Sequence, residues 1–217
     1  MRDNKKSFSF VSFGAPHQPN AEPARYISKA LAKYPVDEGE LSKLRWRGDV
    51  AERNGNPELS KLCHIASILH LDDAIADLFQ MVVDFGKRGE TLFLFINDNG
   101  GTNRHGITNS NLRGYKGSPF EGAHKTTNFL VGPELKGKLN NKFVWIGDWL
   151  PTCADIAGAD ISDLNLDGES LIRRKPHEEI PPARIAVIHF AKRENSCLLY
   201  TSPSPRDQRG SRMPSSA

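Results

Sequence analysis

No stretch of the sequence approaches the run of about 20 apolar residues that crosses a bilayer as a helix, so we expect no membrane span. The opening residues, MRDNKKSFSFVSFGAP, are not typical of a signal peptide, because serines interrupt their apolar part and no small-residue cleavage site follows. They resemble the interior of a domain entered at a strand. We therefore expect further sequence upstream of Met1.

Cysteine is scarce, with 3 residues in 217. Cys63 and Cys153 lack the CxxC spacing of a metal site, and two cysteines build no disulfide framework. The 7 histidines also form no HExxH pattern. These absences give no support for a zinc centre or a disulfide-stapled fold.

The last 21 residues, from Cys197 to Ala217, have no periodicity and are rich in Ser, Pro and Arg. We interpret 1–196 as the folded part and 197–217 as a disordered tail. The string CLLYTSPSPRD…SRMPSSA resembles a translated sequencing adapter, and an ordinary disordered tail is the alternative. Three arginines and one aspartate in this tail contribute +2 of the formal charge of +3, which leaves +1 for the rest. A nucleic-acid partner is therefore not indicated.

The rest of the chain predicts an α/β fold, because strand-like and helix-like segments alternate. The predicted strands are Ser7–Ala15, Thr91–Ile96, Phe129–Val131 and Phe143–Ile146. The predicted helices are Ala21–Tyr34, a long segment from Pro57 to Val82, with a bend in it as an alternative, and Asp148–Ala157. Thr91–Ile96 is continuously apolar, as in a parallel strand buried on both faces. We interpret Pro35–Gly55 as a surface excursion.

The stretch NDNGG follows the strand Thr91–Ile96 directly. Asn-Gly is a strong hairpin signal, but a hairpin needs a second alternating strand, and the polar segment 100–119 does not alternate. We therefore favour a ligand site, with a turn as the alternative. The carboxylate of Asp98 and the amide of Asn99 are hard oxygen donors that suit Ca²⁺, with Mg²⁺ as the weaker alternative. Two such residues need further ligands to hold a cation.

Two other residues lie in loops that could place them near this site. His17 follows the first predicted strand in APHQP, where two prolines restrict the backbone. Lys116 lies in the glycine-flanked loop LRGYKGSPFEG. From the residues alone, a structural histidine and a solvated surface lysine are the simpler interpretations.

Several motifs together resemble the formylglycine-dependent sulfatases of the alkaline phosphatase superfamily. They are FGAPHQP, LDDAIADL, DNGG, LRGYKGSPFEG, DWLPT and LDGESL, in that order. The resemblance covers most of Ser7–Leu171. It implies a partial alkaline-phosphatase-like mixed sheet flanked by helices and truncated at its N-terminus.

The resemblance also implies functions for single residues. Asp98 and Asn99 match the family's second pair of Ca²⁺ ligands, Lys116 the lysine that contacts the sulfate and the formylglycine, and His17 the histidine that hydrogen-bonds the sulfate. The implied parent enzyme cleaves sulfate esters of a small molecule or glycan, with the formylglycine as nucleophile. By analogy with the family, the protein would be secreted, periplasmic or lysosomal.

The sequence departs from the family at three points. It has no Cys/Ser-x-Pro-Ser/Thr-Arg nucleophile motif, since TSPSPRD in the tail has the wrong spacing, and it has no first pair of Asp ligands. We expect both upstream of Met1, so this chain alone should be inactive. Lys125 also replaces the family's arginine in EGAHK, and the two side chains are not equivalent. A phosphate or phosphonate ester hydrolase of the same superfamily and a non-catalytic sulfated-glycan-binding relative remain alternatives.

Overall fold

The computed structural model describes residues 6–52, 55–102, 108–133, 143–172, 187–192 and 195–200. The chain divides into two compact units. One consists of Phe10–Gly137, and the other combines Met1–Ser9 with Lys138–Ala217. Helices and small antiparallel sheets alternate along the chain, which confirms the α/β class. No helix in the described ranges is long and apolar enough to cross a membrane.

The unit Phe10–Gly137 begins with a three-stranded antiparallel sheet in the order β1-β3-β2. Its strands are β1 (Ala21–Pro23), β2 (Arg45–Arg47) and β3 (Val50–Glu52). Ala51 of the central strand is fully buried and lies opposite Glu22 and Trp46. The segment interpreted as a surface excursion therefore supplies two strands of this sheet, and it also contains a short helix, α2 (Glu38–Leu41). Its few apolar residues gave no alternating pattern from which strands could be predicted.

Two helices build the core against this sheet. The helix α1 (Ala24–Leu31) is shorter than predicted, because β1 occupies Ala21–Pro23. The helix α3 (Pro57–Asp84) confirms the long predicted helix. The Asn56 side chain caps α3 by accepting hydrogen bonds from two backbone amides, and Pro57 occupies the first turn. The buried core residues are Tyr26, Ile27, Ala30, Leu44, Ala51, Leu59, Leu62, Cys63 and Ala66.

The predicted strand after α3 exists as β4 (Phe93–Ile96), but its predicted environment is wrong. It pairs antiparallel with β5 (Asn128–Val131), Phe95 opposite Phe129, and all four of its residues are only half buried. The two facing phenylalanine rings stack with centroids 4.7 Å apart. A continuous apolar run predicts a covered strand, but it does not give the direction of the partner strand, which depends on a distant part of the chain.

The second unit is organised by the helix α5 (Trp149–Ala157), which confirms the last predicted helix. Asp148, immediately before it, is fully buried and accepts hydrogen bonds from the amides of Trp145, at 3.2 Å, and Glu169, at 2.9 Å. Thr152 accepts a hydrogen bond from the amide of Leu171 at 3.0 Å. The DWLPT and LDGESL segments are thus tied together, which indicates a structural function for both.

Two predicted strands are wrong. Residues 7–14 form no strand and expose Phe8 and Phe10 by 74% and 81%, since no described strand pairs with them. Residues 143–145 are irregular and lead into a 3₁₀ helix, Ile146–Asp148. The strand β6 (Val187–Lys192) pairs antiparallel with β7 (Asn195–Tyr200). Residues 197–200 of the predicted tail therefore lie in a strand, whereas 201–217 fall outside the described residues.

Candidate functional site

The Asp98–Asn99 pair lies immediately beyond β4. The amide of Asn97 donates to the Asn128 side chain at 3.1 Å, which ends the pairing with β5. Asp98 is exposed, and its Oδ1 accepts a hydrogen bond from the amide of Asn99 at 2.8 Å. The Oδ1 of Asn99 is buried and accepts no hydrogen bond from any described residue. The chain thus holds one carboxylate and one unpaired amide oxygen at the same strand end.

A buried oxygen without a donor costs free energy, about 1–3 kcal/mol, unless another partner supplies the missing interaction. A cation is one such partner, and carboxylate and amide oxygens are the ligands that Ca²⁺ prefers. The Asp98–Asn99 pair therefore fits a calcium ion in the chemistry of its donors. The described residues contain no cluster of three or more His, Cys, Asp or Glu side chains that could hold a metal. Since Ca²⁺ takes six to eight oxygen ligands, the pair could supply only part of its shell.

The glycine after this pair is required by close backbone packing. The amide of Gly100 donates to the carbonyl of Ala123 at 2.9 Å, so the two segments touch directly. A Cβ on Gly100 would lie 1.8 Å from the carbonyl oxygen of Gly122. A Cβ on Gly122 would in turn lie 2.4 Å from the carbonyl oxygen of Gly114. The NDNGG segment is therefore packed against the short helix α4 (Glu121–His124) and is not a free hairpin turn.

Lys116 is brought to the same segment by its backbone. Its amide donates to the carbonyl of Gly101 at 2.9 Å, and its side chain is exposed. Gly114 and Gly117, on either side of it, have φ angles of +91° and +84°, which favour glycine. Ser118 closes the turn, because its hydroxyl accepts from the amide of Tyr115 at 2.9 Å. The loop is thus held while the ammonium group stays accessible to an anion.

His124 supports the loop that carries Lys116. Its ring hydrogen-bonds the backbone carbonyl of Ser118. Burial lowers the pKa of His124 below its usual value, and the hydrogen bond to Ser118 opposes this shift. Lys125 is exposed and makes no side-chain hydrogen bond with the described residues. The amide of Gly122, which donates to Arg113 at 2.7 Å, supports the loop without the arginine that the family pattern has at position 125.

His17 lies in a separate loop of the same unit. Its Nδ1 is 2.7 Å from the carbonyl oxygen of Gln18, which can only accept, so Nδ1 carries a proton and Nε2 remains available for a ligand. The Pro16 carbonyl accepts hydrogen bonds from the buried Asn20, at 2.9 Å, and from the ring of His64. Burial lowers the pKa of His64, against the effect of that hydrogen bond. The loop that carries His17 is therefore anchored on α3.

The structure thus brings together three of the four predicted site residues. Asp98 and Asn99 lie next to the segment to which Lys116 is bonded, whereas no hydrogen bond between described residues joins His17 to any of them. Sequence reasoning missed three supporting residues, which are Asn20, His64 and Asn109. Asn20 follows a proline pair and Asn109 lies in a polar loop, which are positions where asparagine commonly bonds the backbone, but their partners could not be read from the sequence.

Comparison with known proteins decides the family. The sequence model of the sulfatase family, described as "Sulfatase", matches residues 1–159. The chain belongs to the sulfatase family. Its mixed helices and small antiparallel sheets are consistent with a partial alkaline-phosphatase-like sulfatase domain.

Several arylsulfatases are similar to this sulfatase chain. Arylsulfatase J of Mus musculus is 27% identical over 188 residues, covering 85% of this chain and 27% of the relative. Arylsulfatase A of Bos taurus is 35% identical over 109 residues, covering 48% of this chain and 22% of the relative. An arylsulfatase of Clostridium perfringens (strain 13 / Type A) is 27% identical over 191 residues, covering 78% of this chain and 38% of the relative. The chain thus spans between 22% and 38% of the length of these relatives.

Proposed function

We propose that this chain is the C-terminal part of the catalytic domain of a sulfatase, and that the whole enzyme hydrolyses sulfate esters of a small molecule or glycan. Membership of the sulfatase family and the names of the arylsulfatase relatives support the reaction class. The observation that carries the proposal is the unpaired, buried Oδ1 of Asn99 beside the Asp98 carboxylate. The backbone bond from Lys116 to Gly101 holds a cationic side chain to the same segment.

Asp98 and Asn99 would hold a Ca²⁺ ion together with ligands from residues upstream of Met1. When bound, the ion would act as a Lewis acid that stabilises negative charge on the sulfate oxygens, while a formylglycine upstream would supply the nucleophile. The hydrogen bond from the Asn99 amide holds the Asp98 carboxylate at the end of β4. Because this bond and the Gly100–Ala123 bond fix the backbone, the two oxygens need little reorganisation to bind a cation.

Lys116 would stabilise the sulfate as negative charge develops on the leaving oxygen. Its ammonium group carries three donors and is solvent-accessible in the described structure, so it can approach an anionic substrate directly. His17 in its imidazolium form would donate a hydrogen bond to the sulfate from Nε2, while Nδ1–H donates to the Gln18 carbonyl. Removal of one such oriented donor typically costs about 10²–10³ in rate.

The 217-residue chain by itself should not turn over a sulfate ester. It has no Cys/Ser-x-Pro-Ser/Thr-Arg motif from which a formylglycine could form. An assay of the purified chain with an aryl sulfate should give the rate of buffer alone. Turnover that tracks the purified protein and disappears in the Lys116→Ala variant would contradict this part of the proposal.

The reaction itself is tested with the product of the complete gene, produced together with a formylglycine-generating enzyme. We expect it to hydrolyse an aryl sulfate faster than the matching aryl phosphate, and we expect Lys116→Ala to reduce kcat/KM for the sulfate by about 10²–10³. Lys33→Ala is the matched control, since Lys33 is also an exposed lysine and lies two residues beyond α1. Faster hydrolysis of the phosphate ester would indicate the phosphatase branch of the superfamily. No turnover of either ester, with binding of a sulfated glycan, would indicate a non-catalytic relative.

A further inference from the structure

Asn109 occupies an unusual position in the loop between the proposed metal ligands and Lys116. Its Oδ1 accepts a hydrogen bond from the amide of Gly101 at 2.7 Å. Its Nδ2 donates to the carbonyl of Gly101 at 3.1 Å and to the carbonyl of Gly114 at 2.9 Å. One side chain therefore connects two backbone segments that are separated by more than ten residues.

These partners fix the orientation of the amide group. A backbone N–H can only donate and a carbonyl can only accept, so the oxygen of Asn109 must face the Gly101 amide and the nitrogen must face the two carbonyls. Aspartate could satisfy only the first of these contacts, and an apolar residue could satisfy none. An amide of this length is therefore required by the three contacts.

The two connected residues lie next to the candidate functional groups. Gly101 follows Asn99 by two positions, and Gly114 precedes Lys116 by two positions. The carbonyl of Gly101 also accepts the hydrogen bond from the Lys116 amide at 2.9 Å. The Nδ2 of Asn109 and the amide of Lys116 thus donate to the same carbonyl oxygen, so a movement of the Gly101 carbonyl changes both hydrogen bonds.

We propose that Asn109 is a positioning residue, which sets the distance between the Asp98–Asn99 pair and Lys116 by bonding Gly101 and Gly114 simultaneously. The catalytic importance of that distance rests on the proposed function. The three hydrogen bonds by which Asn109 connects the two segments do not depend on it. The backbone bond from Lys116 to Gly101 is a second tie between the two segments, and it shares its acceptor, the Gly101 carbonyl, with Asn109.

Hydrogen exchange of the 217-residue chain tests the tie without metal or substrate. In Asn109→Ala, the amides of Gly101 and Lys116 should exchange at least 10-fold faster than in the wild type. In Asn109→Asp, the Gly101 amide should stay protected, because the carboxylate still accepts, while the Lys116 amide should exchange faster, because the carboxylate repels both carbonyls. The control is Asn111→Ala, since Asn111 is exposed and makes no side-chain hydrogen bond with the described residues. In Asn111→Ala, the amides of Gly101 and Lys116 should exchange at the wild-type rates.

Two results would overturn the inference. One is exchange at Lys116 that changes less than two-fold in Asn109→Ala. The other is an increase in the exchange rate of core amides of α3, such as that of Leu62, as large as the increase at Lys116. Such a result would mean that Asn109→Ala lowers the stability of the whole unit.

The catalytic consequence is measured separately in the product of the complete gene. There Asn109→Ala should lower kcat for an aryl sulfate by about 10–100-fold, the range found when a supporting partner of a site residue is removed, and Asn109→Asp should not restore it. An unchanged kcat would refute the positioning function. If the wild-type product cleaves no sulfate ester at all, the proposed function fails, and the exchange result still decides whether Asn109 ties the two segments.

Discussion

The close approach of Gly100 to Gly122 gives the sharpest prediction about the fold of the candidate site. In Gly100→Ala, the new methyl group would lie 1.8 Å from the Gly122 carbonyl oxygen and 2.8 Å from its carbonyl carbon. Both are backbone atoms, so no side-chain rotation can relieve the overlap. The segments must separate, and this breaks the hydrogen bond of 2.9 Å from the Gly100 amide to Ala123.

The cost follows from these two changes. Overpacking typically costs about 1–3 kcal/mol, and a lost hydrogen bond costs about 1 kcal/mol more. We therefore expect the free energy of unfolding to fall by about 2–4 kcal/mol. With a urea dependence of about 2 kcal/mol per molar, the unfolding midpoint should fall by about 1–2 M. Circular dichroism during urea titration measures this shift.

Gly89→Ala is the matched control for this variant. Gly89 lies in the 3₁₀ helix Arg88–Glu90, has no positive φ angle, and has no atom within 4 Å of the position of a Cβ. Its replacement should leave the midpoint unchanged or raise it slightly, because alanine restricts the unfolded chain more than glycine does. If Gly100→Ala shifts the midpoint no more than Gly89→Ala does, the NDNGG segment is not packed against α4 as described.

Three further variants or conditions test other parts of the unit Phe10–Gly137. Leu62→Ala removes a fully buried side chain from the core and should cost about 2–5 kcal/mol in urea unfolding. Asn56→Ala removes the cap of α3 and should cost about 0.5–2 kcal/mol, whereas Asn56→Ser should retain most of the stability. The pKa values of His64 and His124 are lowered in the fold. Their contribution to the free energy of unfolding should therefore be fully present above about pH 6.5, the pKa of an unfolded histidine, and should be lost as the pH drops from there toward the folded pKa values. His64→Gln and His124→Gln should each reduce this loss in thermal melts between pH 7 and pH 5.

The helices were predictable because their signals are local. Asn56 and Pro57 mark the start of α3, and the apolar spacing from Leu59 onward is that of a helix. Gly86, with a φ angle of +66°, follows its end as expected for a helix C-terminus. The strands were harder to predict, since strand pairing depends on distant residues that a local pattern does not reveal. Phe8 and Phe10 illustrate this limit, because an apolar run without a described partner strand stays irregular.

The candidate site was predictable only in its outline. Asp98 and Asn99 were predicted as ligands because hard oxygen donors follow an apolar strand, and the burial of the Asn99 oxygen supports that interpretation. Lys116 could be singled out only through the resemblance of its loop to the family. The contribution of Asn109 depends on three backbone partners at a distance, and no single sequence can specify such contacts.

We propose that Asp98 and Asn99 are calcium ligands of a sulfatase. The most direct test is the Ca²⁺ affinity of the product of the complete gene, measured by isothermal titration calorimetry for the wild type, Asn99→Ala and the Asn111→Ala control. We expect Asn99→Ala to weaken Ca²⁺ binding by at least 10-fold, and we expect added Ca²⁺ to recover part of the activity that this variant loses toward an aryl sulfate, while the control binds like the wild type. Equal Ca²⁺ affinity in Asn99→Ala and the wild type would show that Asn99 is not a calcium ligand.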